Sequence, residues 1–233
     1  MNTTIVSSYI NLPHNKSRNI IEYEKLILWL IQKPIPKILF LDESLWDRLW
    51  PYQNSHTVIF KTSLNDLYLL KYKDEVNFNP ITDNPTKDSI EYFSIMNNKT
   101  EWVREAIKLN PFSTQNFVWL DAGIRHVLNE NTPLDKLNSS YDKVRIGRIW
   151  DLNIPPSPDF HRKINWYLAG GVFGGTEKRL LQFADLCKEK NLELVNKKII
   201  TWEVNTWYDV VKSNPELFSL YQCNHNESIV TNF

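Results

Sequence analysis

Cysteine is almost missing from this chain: Cys187 and Cys223 are the only two. That is too few for a Cys-rich zinc module or a disulfide framework, and it favours a reducing compartment. An excess of charge of either sign is missing too. Lys and Arg total 27, as do Asp and Glu, so there is no basic surplus to neutralise a run of phosphates and no nucleic-acid partner is expected. No apolar run approaches the roughly eighteen residues that a spanning helix needs. The start, Met1 to Ser8, has neither a basic n-region nor a long apolar h-region. No membrane span and no secretion signal are therefore expected, and the expected location is cytoplasmic. Internal repeats, low-complexity tracts and linkers are lacking as well. Pro155-Pro156-Ser157-Pro158 reads as a stiff loop, because strong elements lie close on both sides.

What is present describes one folded domain spanning 1–233. A chain of this length can bury a core without staples, and 42% hydrophobic with 23% charged residues rules out wholesale disorder. Thr4 to Tyr9 reads as a strand that runs into a polar loop from Asn11 to Lys16. Apolar residues at helical spacing predict a helix over Asn19 to Gln32, stopped by Pro34 and Pro36. Lys37 to Leu41, Thr57 to Phe60 and Phe117 to Leu120 are continuous apolar runs, as buried strands require. Helices are predicted at Asp88 to Asn98, Thr100 to Leu109, Glu177 to Lys190 and Trp202 to Lys212. Further strands fall at Val144 to Trp150, Asn165 to Leu168 and Phe218 to Gln222. Strands alternating with helices point to an α/β/α sandwich around a mainly parallel, mixed central sheet. Val6, Leu39, Ile59 and Val118 should then lie on neighbouring strands.

In such sheets ligands sit beyond the carboxyl ends of the strands. Ser7-Ser8-Tyr9 and Asp121-Ala122-Gly123 fall at such ends, and Asp121 suits a hard cation or, more blandly, a turn cap. Glycine is scarce, yet Gly170, Gly171, Gly174 and Gly175 are four of only six in the chain. The segment reads as a ligand-approaching loop or as two tight turns, with Thr176 capping the next helix. It is neither a Rossmann fingerprint nor a Walker loop, and no Gly-rich turn follows the first strand, which disfavours a dinucleotide-binding oxidoreductase. Glu203 is a helix-start acid, a general base or a partner of a substrate hydroxyl. His126 and His225 are either satisfied histidines or distant metal ligands. Nine Trp serve an aromatic core or a face on which a sugar or base stacks.

Three segments carry a family resemblance: Met96-Asn97-Asn98-Lys99-Thr100-Glu101-Trp102-Val103, Phe117 through Asp121-Ala122-Gly123 to His126, and Ala169-Gly170-Gly171-Val172-Phe173-Gly174-Gly175. With the tail Asn214 to Tyr221 they resemble the HtrL/YibB family, also called WlaTC-like, found in bacterial surface-polysaccharide loci and in large viruses. The resemblance implies a GT-A-like, Rossmann-related fold. It also implies a glycosyltransferase of polysaccharide biosynthesis, moving a hexosyl or deoxyhexosyl group from a nucleoside diphosphate sugar to a glycan or other hydroxyl acceptor. The alternative is a non-catalytic protein that binds nucleotide sugar or glycan in a degenerate site.

On that resemblance Asp121 stands first in an Asp-x-Asp motif whose second acid is replaced by Gly123. Asp121 with His225 would hold Mn²⁺ or Mg²⁺, and Lys99 would meet the diphosphate. Ser7, Ser8, Tyr9, Gly170 and Gly171 would bound the donor site. Glu203 would act as catalytic base if the reaction inverts the anomeric centre and would only position substrate if it retains it, Asp121 would serve catalysis through the metal, and Asn205 would partner a sugar hydroxyl.

Overall fold

The computed structural model describes residues 2–12, 19–82, 84, 87–129 and 132–233. From residue 13 onward, the loop expected at Asn11 to Lys16 lies outside them. The described chain forms β1 (Thr3–Tyr9), α1 (Ile20–Ile31), β2 (Lys37–Leu41), α2 (Glu43–Leu49) and β3 (Thr57–Lys61). After two 3₁₀ turns come α3 (Ile90–Asn97), α4 (Lys99–Leu109), β4 (Asn116–Leu120) and β5 (Val144–Arg148). The last part holds β6 (Leu168–Thr176), α5 (Glu177–Asn196), α6 (Glu203–Ser213), β7 (Phe218–Gln222) and α7 (Ser228–Thr231).

One seven-stranded sheet runs in the order β3-β2-β1-β4-β6-β5-β7. All neighbouring pairs are parallel except those that β6 makes with β4 and with β5. This is the mainly parallel, mixed sheet that the sequence predicts. Val6, Leu39, Ile59 and Val118 fall on the four adjacent strands β1, β2, β3 and β4.

The continuous apolar runs are explained by burial on both faces. Val6, Ile38, Phe117, Trp119 and Phe173 pack with α4, α5 and α6 residues such as Val103, Phe183 and Trp207. Their alternate neighbours Ile5, Leu39, Val118, Leu120 and Val172 pack on the other face with Ile27 and Leu30 of α1, Leu45 of α2 and Val230 of α7. Two cores thus share a single sheet.

Local chemistry sets the element ends. Asn19 and Glu22 form a capping box at the start of α1. At its other end the buried Lys37 ammonium donates to Ile31 O, the last carbonyl of the helix, at 3.4 Å and to Lys33 O, two residues beyond it, at 2.7 Å. Asn98 is both the C-cap of α3 and the N-cap of α4, so the chain turns there while its backbone stays bonded.

The glycine-rich segment is corrected by the structure. It is neither a loop nor a pair of turns: Gly170, Gly171, Gly174 and Gly175 lie inside β6, and no described glycine has positive φ. The reason is crowding. A Cβ on Gly174 would meet Val118 Cγ2 at 2.6 Å and Phe117 O at 2.9 Å, so β6 needs bare backbone to fit beside β4. The strand predicted at Asn165 to Leu168 accordingly begins only at its last residue. Thr176 is the N-cap of α5 but makes no side-chain capping bond. Helix α5 continues past the predicted Lys190 to Asn196, and the short α2 and α7 have no counterpart in the sequence reading.

Candidate active site

The reversal of β6 creates the site. Strands β1 and β4 deliver their carboxyl ends, Tyr9 and Leu120, to one edge of the sheet, and β6 starts there. Asp121 N–H donates to Gly171 O at 3.0 Å, which fixes the acid beside the glycines. Trp119 Nε1 donates to Asp121 Oδ1 at 2.7 Å. That indole stacks on Trp102 at 5.9 Å with 10° between planes, so a rigid aromatic stack holds the carboxylate.

Lys99 opens α4, a position where a lysine usually faces solvent, yet it is 1% exposed. Its Nζ lies 3.0 Å from Asp121 Oδ1 and 3.2 Å from Oδ2. It also donates to Gly170 O and to Glu203 Oε1, each at 3.0 Å. The three donors of the ammonium therefore meet three protein partners. Burial pulls the Lys99 ammonium down, and the charges of Asp121 and Glu203 outweigh it, leaving Lys99 above the ordinary lysine value.

Glu203 is the first residue of α6 and is 4% exposed. Its Oε1 takes the Lys99 bond, while its Oε2 is buried with no hydrogen-bond partner among the described residues. A buried carboxylate oxygen without a partner is costly, and such groups mark places where a ligand completes the network. Gly170 makes the arrangement possible, since a Cβ there would sit 2.5 Å from Glu203 Oε1.

These groups line a cavity of about 410 Å³, within the range of small-molecule sites. Of the residues singled out in the sequence, Ser8, Tyr9, Lys99, Asp121, Gly170, Gly171, Glu203, His126 and His225 line it. Ser7 and Asn205 do not. Ser7 is shut inside the sheet at 1% exposure, two residues short of the carboxyl end of β1. Asn205 is fully buried. Its amide donates to Phe160 O, Lys163 O and Thr201 Oγ1, and its carbonyl oxygen accepts from Asn165 N–H. Two residues beyond Glu203, it points to the far side of the helix and ties down residues 160–165.

Sequence reasoning missed Trp166, Trp202 and Lys87, which also line the cavity. Trp202 could have been flagged as the neighbour of Glu203, and Trp166 as an aromatic just ahead of the glycines. For Lys87 no local signal exists.

A divalent cation does not fit the residues as they stand. Among the described residues no group of three or more His, Cys, Asp or Glu side chains could hold a metal. Both oxygens of Asp121 are engaged by Lys99, and one also by Trp119. His225 stands edge-on to Trp166, with ring centroids 4.4 Å apart. Burial holds its pKa below the ordinary histidine value.

Fold and site together define an α/β protein with a buried charged cluster opening on an aromatic-lined cavity at the carboxyl edge of a mixed sheet. Over residues 2–229 the chain matches the family described as "Bacterial protein of unknown function (HtrL_YibB)", and it belongs to that family. No curated protein matches it. Among solved structures it is similar to mouse xyloside xylosyltransferase 1 in its apo form, with 11% identity and a TM-score of 0.49, over 96% of this chain and 86% of that one. It is also similar to Rv0371c from Mycobacterium tuberculosis H37Rv, with 7% identity and a TM-score of 0.43, over 95% of this chain and 88% of that one. No described helix is long and apolar enough to cross a membrane.

Proposed function

We propose that this protein is a glycosyltransferase that moves a hexosyl or deoxyhexosyl group from a nucleoside diphosphate sugar to a hydroxyl of a glycan. The observation that carries the reading is Glu203: a buried carboxylate with one oxygen tied to Lys99 and the other without a partner among the described residues, on the wall of a cavity at the carboxyl edge of the sheet. The family resemblance in the motifs around Lys99, Asp121 and Gly170 supports it.

In this reading Ser8, Tyr9, Gly170 and Gly171 bound the donor, and the half-buried Trp166 offers an apolar surface to a sugar ring. The acceptor oxygen attacks the anomeric carbon of the donor. The bond from that carbon to the diphosphate oxygen breaks, and Glu203 Oε2 takes the hydroxyl proton, as a positioned general base does. Inversion of the anomeric centre follows from a single displacement of this kind. The diphosphate leaves with its electron pair, and the positive charges of Lys99 and Lys87 oppose the negative charge that develops. Asp121 holds Lys99 in place for that task.

A panel of UDP, GDP and dTDP sugars, read by thermal shift, tests the proposal. A specific donor at 100 times its Kd adds about 2.7 kcal/mol of apparent stability. A panel without any stabilising donor rejects the reading.

A second reading, a nucleotide-sugar or glycan binder without turnover, is favoured by the saturation of Lys99 by protein acceptors. Slow hydrolysis of the bound donor separates the two, because a binder leaves the sugar intact.

A further inference from the structure

We infer that the Lys99 ammonium is the resident cation of this site, occupying the place between Asp121 and Glu203 that a divalent ion would otherwise take, so that ligand binding here needs no metal. The inference concerns the same cavity as the proposed activity, and it rests on that reading only for what the cavity binds.

Geometry carries it. An ammonium prefers about three oxygen acceptors and a hard divalent ion about six. What surrounds Lys99 Nζ is the Asp121 carboxylate, Glu203 Oε1 and Gly170 O, at 3.0 to 3.2 Å. These are ammonium distances, since Mg²⁺ and Mn²⁺ draw oxygens to roughly 2.0 to 2.2 Å. The lysine cannot step aside, because it is buried to 1% exposure at the start of α4, beside the rings of Trp119 and Trp207 at 6.0 and 5.9 Å. A divalent ion on Asp121 would share its single carboxylate with the Lys99 ammonium 3.0 Å away, and two cations at such range repel. The position where a second acid would compensate is Gly123, and no three-ligand cluster exists among the described residues.

The arrangement also predicts how the site becomes a metal site. Removing the ammonium leaves two carboxylates and one carbonyl oxygen facing a common gap, a set of hard oxygen ligands. Electron paramagnetic resonance of free Mn²⁺, titrated with wild-type protein and with Lys99→Ala, reads this directly and needs no activity. The expected result is no stoichiometric Mn²⁺ binding by the wild type and at least about tenfold tighter binding by Lys99→Ala, whose two acids have lost their counter-charge. One Mn²⁺ bound per wild-type chain overturns the inference. So does a folded Lys99→Ala protein, checked by circular dichroism, that binds Mn²⁺ no better than the wild type.

Should Lys99→Ala not fold, the wild type decides by thermal shift with UDP, GDP and dTDP, each in EDTA and in Mn²⁺. Equal shifts in the two conditions support the resident ammonium, and a shift that appears only with Mn²⁺ overturns it. If no nucleotide stabilises the protein, the proposed donor class fails, while the wild-type Mn²⁺ titration still rules on the inference.

Discussion

Glu203 shows how little of a side chain's role lies in its own sequence neighbourhood. Near a helix start an acid ordinarily offsets the helix dipole in solvent; here it is buried against a lysine 104 residues away. For Glu203→Gln the expectation is nearly unchanged donor binding with turnover lower by about 10² to 10⁴, the range for losing a positioned base. The flattened limb of the pH profile of kcat is the accompanying readout. Equal turnover and an identical pH profile would make Glu203 a structural partner of Lys99 and nothing more. Asp121 was recognisable as an acid held at the end of an apolar strand. Its bidentate contact with Lys99 was not, because spacing along the chain says nothing about which helix start will lie over the strand end.

Elements carry a second kind of information. Helix α1 ends where Lys37, the first residue of β2, reaches back to its last carbonyl, Ile31 O, and to Lys33 O just beyond it. Burial lowers the Lys37 pKa from 10.5 to about 8. Between these two values the unfolded chain holds more protons at this position than the folded one, so stability rises with pH through that window. Below it, both forms are protonated and the burial penalty is complete. Chemical denaturation of wild type and Lys37→Met at several values from about pH 7 to 9.5 checks this: the wild type should gain stability relative to the variant as pH rises. A constant difference between them would remove Lys37 as the cause.

The strand β6 shows the limit of element reading. Its glycines look like turn formers by composition, and only the proximity of Val118 and Phe117 O explains why an extended strand requires them.

At the scale of the whole molecule, the two apolar clusters lie on opposite faces of the same seven strands. Ile5 and Val6, adjacent in β1, belong to different clusters, so neither core can dissolve without exposing the strands that support the other. Unfolding is therefore expected as one cooperative transition, with near-UV and far-UV circular dichroism superimposing along a urea titration. Two separated transitions would mean that one layer melts independently.

The sequence by itself determined the α/β class, most of the strands and longer helices, and the family. Apolar runs bounded by turn residues, and helical spacing of apolar side chains, are local properties that burial on both faces of a sheet imposes on the chain. It also marked Asp121, Lys99, Gly170 and Glu203 individually. Only the tertiary structure decided that these four meet, that Ser7 and Asn205 turn away from the cavity, and that an ammonium sits between the two acids. The reversed course of β6 and the landing of the starts of α4 and α6 at one sheet edge depend on contacts between residues about 70 to 100 positions apart. Such contacts are selected by packing of the whole chain and leave no periodic trace in any local window.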